Sequence, residues 1–184
     1  MTMMDPLKII EKYYSTDSRA YYLLVHHSRK VTEKALEVAQ KVSHLHPDRK
    51  FIEEAAMLHD LGIFLTDEPG LGCYGKTAYL CHGYLGRELL EKEGYPLHGF
   101  VCERHVGVGI TAGEIRQKNL PLPNRDMIPL SLEEQIVCFA DKFFSKDEEF
   151  LFIEKPIEKV RQGIAHFGDE KLRIFDDWLE MFGY

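Results

Sequence analysis

The sequence has few cysteines, and their spacing does not suggest a disulfide framework. Four cysteines are spread over 184 residues, and none of them forms a C-x-x-C pair. A chain of this length can bury a sizeable core without crosslinks, so buried, reduced thiols are the simpler interpretation. The four are Cys73, Cys81, Cys102 and Cys138.

The sequence also lacks a long apolar run and an excess of basic residues. No run approaches the ~18 residues of a membrane span, and the opening MTMMDPLKIIEKYYS has no apolar signal core. The net charge of −7 gives no reason to expect nucleic acid or an anionic membrane as partner. We therefore expect a cytoplasmic protein. An anionic substrate remains compatible, because a bound metal can reverse the local field.

Convincing strand alternation is missing as well, and helical periodicity dominates. Helices are predicted over about 18–45, 48–62, 77–93, 96–106, 131–143, 156–167 and 170–182. Asp48 is a plausible N-cap, and Ser131 with Glu134 forms a capping-box pattern. Residues 63–76 and 107–129 carry the glycines and prolines expected of irregular segments. No repeat or linker divides the chain, so the sequence predicts a single all-α domain over residues 1–184.

Two aspartates follow apolar helical stretches, where a carboxylate is costly to bury unless it is paired or bound to a metal. Asp60 comes after His59 at the end of AAMLHD, and Asp141 ends IVCFAD. The chain also has nine histidines, more than a core needs. Imidazole and carboxylate together suit iron, manganese, zinc or nickel better than calcium or magnesium. The sequence therefore predicts a site for a divalent transition metal.

The order of these residues resembles the HD phosphohydrolase superfamily. His27 followed by a serine, the pair His59-Asp60 in LHDLG, and Asp141 in FADK give an H…HD…D pattern within about residues 23–146. The resemblance implies a helical bundle whose metal-binding core covers this span, with further helices at about 156–182. It also implies that these four side chains hold a first metal ion.

Two further histidines decide the subtype that the resemblance implies. Members with two histidines between the HD pair and the last aspartate bind two metals, with the HD aspartate as the bridge. His82 and His105 occupy these places. By resemblance, Asp60, His82 and His105 would hold a second ion, so that one or two ions, iron or manganese first and zinc or nickel next, are expected.

The function that the resemblance implies is hydrolysis of a small phosphate ester or nucleotide. Two cations can polarise a bridging water into hydroxide and neutralise charge on a phosphate. Asp60 would bridge the metals, and Lys30, one turn after His27, is the leading candidate to bind phosphate oxygens. Weaker candidates are Arg104, Arg125, Lys142 and Lys146. A small phosphorylated molecule is the expected partner, and a homo-oligomer is compatible with the sequence.

Three alternatives stay open. A mixed-valence di-iron oxygenase of the same superfamily uses the same six ligands, and a non-catalytic metal-binding domain would also keep them. The third is a nucleotide kinase, because residues 70–77, GLGCYGKT, match the P-loop pattern. A P-loop must join a buried strand to a helix, whereas here Asp67, Glu68 and Pro69 come directly before Gly70. We therefore expect that GLGCYGKT does not bind nucleotide as a P-loop.

Overall fold

The computed structural model describes residues 4–147 and 149–184, and within them the chain forms nine α-helices and one short hairpin. The helices are α1 (Pro6–Glu11), α2 (Arg19–Lys41), α3 (Arg49–Leu58), α4 (His82–Lys92), α5 (Pro96–Arg104), α6 (Ala112–Gln117), α7 (Leu132–Asp141), α8 (Ile157–Ala165) and α9 (Asp169–Met181). The antiparallel hairpin pairs β1 (Asp67–Glu68) with β2 (Cys73–Tyr74). The all-α prediction is confirmed. Among these helices, none has the length and apolar character needed to cross a bilayer.

Side-chain caps begin three of the helices, two of them at the predicted residues Asp48 and Ser131. The Asp48 carboxylate accepts a hydrogen bond of 2.9 Å from the Phe51 amide and so starts α3. The Ser131 hydroxyl accepts one from the Glu134 amide and starts α7, while Ser18 does the same for α2. The Ser131 capping box forms only in half, because the Glu134 carboxylate accepts instead from the Leu130 amide at 2.8 Å.

Several predicted boundaries differ from the structure. The segment 107–129 contains the short helix α6, which begins with a complete capping box between Thr111 and Glu114. The helix predicted from about residue 77 starts at His82, after a 3₁₀ turn over Tyr79–Cys81. The helix α1 was not predicted. Short elements of this kind contribute little periodic signal, since one or two turns contain too few apolar positions.

The buried apolar residues form two clusters. One lies around Phe139 and Phe175 and joins α2, α3 and α7 to the C-terminal helices α8 and α9. The other joins α1 to the beginning of α2 and the end of α3. On α2, Leu24 belongs to the second cluster and Val31 to the first, so His27 lies where the two clusters meet.

A glycine contact brings α4 against the turn that follows α3. A Cβ atom added at Gly62 would lie 2.2 Å from the His82 carbonyl oxygen and 2.5 Å from the Gly86 amide nitrogen. Both atoms are backbone, so a side chain at Gly62 would push α4 away. This close approach places His82 next to the His59-Asp60 pair.

Candidate metal centre

Five elements of the fold bring the six predicted ligands together. The aspartates and histidines come from the middle of α2 (His27), the two residues after α3 (His59, Asp60), the first residue of α4 (His82), the residue after α5 (His105) and the last residue of α7 (Asp141). The five side chains other than that of Asp141 are buried to at least 94%, and the Asp141 side chain is 14% exposed. Helix ends therefore supply most of the site.

Four of these side chains form a first group whose ligand atoms lie within 4.8 Å of one another. His27 Nε2 lies 2.9 Å from Asp141 Oδ1, and His59 Nε2 lies 2.9 Å from Asp60 Oδ2. The cross distances, His27 to Asp60 and His59 to Asp141, are both 3.3 Å. Two imidazole nitrogens and two carboxylate oxygens thus alternate around one point, a donor set that suits a transition metal.

A second group consists of Asp60, His82 and His105. The Nε2 atoms of His82 and His105 lie 3.2 and 3.4 Å from Asp60 Oδ1, the carboxylate oxygen that the first group does not use. Asp60 therefore presents one oxygen to each group, as a bridging ligand would.

The hydrogen bonds of the imidazole rings determine where their lone pairs point. His82 Nδ1 lies 2.6 Å from the Tyr79 carbonyl, and His105 Nδ1 lies 2.7 Å from the Cys102 carbonyl. A carbonyl oxygen only accepts, so both Nδ1 atoms must carry the proton in the neutral rings. The two Nε2 atoms then face each other at 3.1 Å with lone pairs and no proton between them. A cation beside both nitrogens would remove this repulsion.

His59 shows the same arrangement and an altered pKa. Its Nδ1 donates to the Ala56 carbonyl at 2.6 Å, which directs Nε2 toward the two aspartates. Burial acts to lower the pKa of His59, but Asp60 and Asp141 raise it to about 9. Among the described residues, no hydrogen bond of acceptable geometry reaches Nε2 of His59 or Oδ1 of Asp60. The centre therefore favours a positive charge where a metal would bind, and the residues present fit a divalent ion.

Two lysines and a tyrosine border the open side of the cluster. A pocket of about 190 Å³ is lined by Asp60, His82, His105 and Asp141 together with Tyr79, Lys142, Lys146, Val106 and Gly107. Lys142 Nζ lies 2.7 Å from Asp141 Oδ2, and Lys146 Nζ lies 2.5 Å from Asp60 Oδ2. Although burial acts to raise it, the pKa of Asp60 is held well below its usual range, by His59 and then by Lys146. Both carboxylates thus remain ionised.

The structure does not place Lys30 in this pocket. Its ammonium lies 2.6 Å from Glu33 Oε2 on the same helix, and the residue is absent from the pocket lining among the described residues. The phosphate-binding role suggested for Lys30 remains a prediction. The lysines that line the pocket are Lys142 and Lys146. Tyr79 is a residue of the site that the sequence analysis did not predict. It lies three residues before His82, as Ala56 lies three residues before His59, and each carbonyl contacts Nδ1 of the histidine that follows. This repeated spacing is the signal that could have indicated Tyr79.

The glycine-rich segment 70–77 is folded into the hairpin and the turns beside it. The Gly72 amide donates to the Pro69 carbonyl, the Gly75 amide to the Thr66 carbonyl and the Lys76 amide to the Leu65 carbonyl. The segment contains β2 and leads into a 3₁₀ turn, where a P-loop would join a buried strand to a helix.

Comparison with known proteins agrees with this geometry. A model of the HD domain matches residues 24–145, so the chain belongs to the HD domain family. The uncharacterized protein MJ0778 of Methanocaldococcus jannaschii is 31% identical over 159 residues, covering 84% of this chain and 86% of the relative. No solved structure shows a significant match.

Two further relatives are tRNA (cytidine(56)-2′-O)-methyltransferases. The one from Picrophilus torridus is 29% identical over 153 residues, and the one from Thermoplasma volcanium is 28% identical over 157 residues. The matches cover 83% and 85% of this chain, but the chain spans only 39% and 40% of these two proteins.

Proposed function

We propose that this protein is a metal-dependent phosphohydrolase acting on a small phosphate ester. His27, His59, Asp60 and Asp141 would hold a first divalent ion, and Asp60, His82 and His105 a second. Iron or manganese suits this mixed imidazole–carboxylate set best, with zinc or nickel as further options. When bound, such ions supply Lewis acidity and lower the pKa of a bound water.

One observation supports the proposal above the others: the ligand groups open onto a pocket whose remaining wall carries two ammonium groups. Lys142 and Lys146 both line it, and their side chains are only 12% and 9% exposed. Buried ammonium groups bind phosphate oxygens more strongly than exposed ones, since water screens them less. A pocket of about 190 Å³ has room for a phosphate group but is smaller than a typical site for a whole organic ligand.

Some residues of the chain would position the metal ligands, and others would supply positive charge to the substrate. The Tyr79 and Cys102 carbonyls orient His82 and His105 by accepting from their Nδ1 atoms, so that both Nε2 atoms lie beside Asp60 Oδ1. Lys142 is held by the His105 carbonyl at 3.0 Å, so its ammonium has a fixed position beside the pocket. A fixed charge costs no reorganisation when negative charge develops on the substrate.

The names of the two methyltransferase relatives do not transfer to this chain. The chain spans about two fifths of each protein, and their activity belongs to the whole. A cytoplasmic location, a small phosphorylated partner, the lack of nucleic-acid and membrane partners and a possible homo-oligomer remain predictions from the sequence.

The test is to strip the protein of metal with a chelator, reload it with Mn²⁺ or Fe²⁺, and assay phosphate release and oxygen uptake side by side under air and under argon. We expect phosphate release from small phosphate esters only after reloading, at equal rates in both atmospheres. Turnover that needs mixed-valence iron and consumes oxygen would overturn the proposal in favour of an oxygenase. Metal binding without turnover on any phosphate ester would indicate a non-catalytic metal-binding domain.

A further inference from the structure

A second, larger cavity adjoins the metal pocket. It has a volume of about 550 Å³ and lies between α6, α8 and the segment 106–110. Val106, Gly107 and Lys142 line both the cavity and the pocket, so the two spaces share a wall. We propose that this cavity binds the organic part of the substrate, and that the substrate is the phosphate ester of an apolar alcohol. The proposal rests on the phosphohydrolase function and narrows its substrate class.

The side chains around the cavity are largely aliphatic. They include Leu80, Val108, Ile110, Leu120, Val160 and Ile164. A nucleobase carries polar edges that would lose their hydrogen bonds with water in such surroundings, whereas an alkyl or aryl group gains free energy there.

The backbone of the cavity wall offers few free polar groups. The Gly109 carbonyl accepts a hydrogen bond of 2.7 Å from Lys171, and the Ile110 amide donates to the Met127 carbonyl at 2.9 Å. The Gly107 carbonyl is contacted by the Cys138 thiol. With these groups occupied, the wall selects for apolar character rather than for a hydrogen-bonding pattern.

The charged residues around the cavity favour an anion. Five lysines and one glutamate line it. Glu114 pairs with Lys171 at 2.6 Å and lies 3.8 Å from Lys118. Lys155 has no carboxylate within 4.0 Å among the residues that the structure describes; its ammonium donates to the Phe144 carbonyl at 3.3 Å and lies 5.7 Å from the centre of the Phe150 ring. Lys155 is therefore a cation left for a ligand.

The volume also fits a substrate larger than the phosphate alone. A cavity of about 550 Å³ is within the range of sites that enclose a drug-sized molecule. Because it lies next to the metal pocket at Lys142, it would hold an apolar tail while the phosphate lies at the metal centre.

Gly163 on α8 provides a way to fill this cavity without touching the metal centre. It lines the cavity, and apart from its two chain neighbours and the nearby backbone of α8, a Cβ atom added there has no atom of the described residues within 4 Å. Replacing a helical glycine also favours the helix. Gly163→Phe should therefore occupy the cavity and fold, while Gly163→Ala adds one methyl group and serves as the matched control.

The experiment compares ethyl phosphate, butyl phosphate, octyl phosphate and AMP with the manganese-loaded protein. For wild type and Gly163→Ala we expect kcat/KM to rise about fourfold per added methylene, as follows from about 0.8 kcal/mol per buried CH₂. In Gly163→Phe the preference of octyl over ethyl phosphate should fall at least tenfold, with ethyl phosphate hydrolysed within twofold of the wild-type rate. Equal kcat/KM along the alkyl series, a preference for AMP, or an unchanged alkyl preference in Gly163→Phe would overturn the proposal.

Calorimetric binding separates this inference from the phosphohydrolase function. Octyl phosphate should bind wild type and Gly163→Ala more tightly than ethyl phosphate, and Gly163→Phe should lose that difference. If binding follows this pattern without any hydrolysis, the cavity assignment holds and the phosphohydrolase proposal fails. If all the esters are hydrolysed alike, the phosphohydrolase proposal holds and the cavity assignment fails.

Discussion

Two segments of this chain carry patterns associated with phosphate chemistry, and their polar atoms are in opposite situations. In the His/Asp cluster, ring nitrogens and carboxylate oxygens lie close to one another, and several of them have no hydrogen-bond donor. In the glycine-rich segment 70–77, the amides of Gly72, Gly75 and Lys76 already donate to backbone carbonyls.

The contrast shows how to distinguish a binding site from a sequence match. A buried polar atom without a partner is costly, so its persistence points to a missing ligand. An amide that is already bonded within the chain has nothing left to offer a phosphate. A motif has the same spacing whether or not it forms a binding site. What distinguishes a site is whether its polar atoms already have hydrogen-bond partners within the chain.

The largest expected effect comes from the residue shared by both metal groups. Asp60→Ala should lose both ions and lower phosphate release by at least about a thousandfold, roughly 4 kcal/mol of transition-state stabilisation. Elemental analysis of reloaded protein and an activity assay measure the two effects.

Asp67→Ala, at an exposed carboxylate in the hairpin, is the control and should keep the wild-type metal content. Because alanine would leave a cavity at this buried position and so disturb folding, the nearly isosteric Asp60→Asn is made as well. Wild-type metal content in folded Asp60→Asn would contradict the bridging role.

A smaller effect is expected when only the second group is damaged. His82→Ala removes one of the two facing lone pairs and should spare the first ion while weakening the second. Activity should fall on the order of a hundredfold, about 2.7 kcal/mol, with close to one ion per chain. Metal titration followed by calorimetry measures both affinities. The exposed His44→Ala is the control, and loss of both ions in His82→Ala would show that the groups are not separable.

The third effect tests which lysine meets the substrate. Lys142→Met should lower kcat/KM about tenfold at saturating metal, because one buried charge-assisted contact is lost. Lys30→Met should stay within twofold, since its ammonium pairs with Glu33 away from the pocket. Steady-state kinetics on both variants measure the two losses of kcat/KM. A larger loss in Lys30→Met than in Lys142→Met would support the role first predicted for Lys30.

The places of Asp60 and Asp141 after apolar stretches are visible in the sequence and predicted a metal site, whereas the histidines of the centre were assigned from the resemblance to the HD superfamily. The sequence also predicted the caps of α3 and α7, since a cap depends on a few neighbouring residues. The all-α class followed from periodicity, which long helices such as α2 display over several turns.

The direction of a long side chain was beyond the reach of the sequence. Lys30 is three residues after His27, which rotates it about 60° around the helix axis, and its neighbour Glu33 pairs with its ammonium instead. The cavity beside the pocket was not anticipated either. It is made by residues from 80 to 171, and nothing in a local pattern indicates that α6 and α8 leave space between them.

The smallest expected effect concerns Lys76, at the position that a P-loop lysine would occupy. Its side chain is exposed, its amide donates to the Leu65 carbonyl at 3.2 Å, and the residues before it form a hairpin rather than a buried strand leading to a helix. Lys76→Ala should therefore leave metal content, phosphate release and ATP affinity within a few-fold of wild type. Calorimetry with Mg·ATP and the phosphate-release assay measure these quantities, with Lys50→Ala, at another exposed lysine, as the matched control. A thousandfold loss of activity together with lost ATP binding in Lys76→Ala alone would reverse the contrast between the two segments. The glycine-rich segment would then be the phosphate site and the chain a nucleotide kinase, since only a lysine in contact with phosphate could account for about 4 kcal/mol.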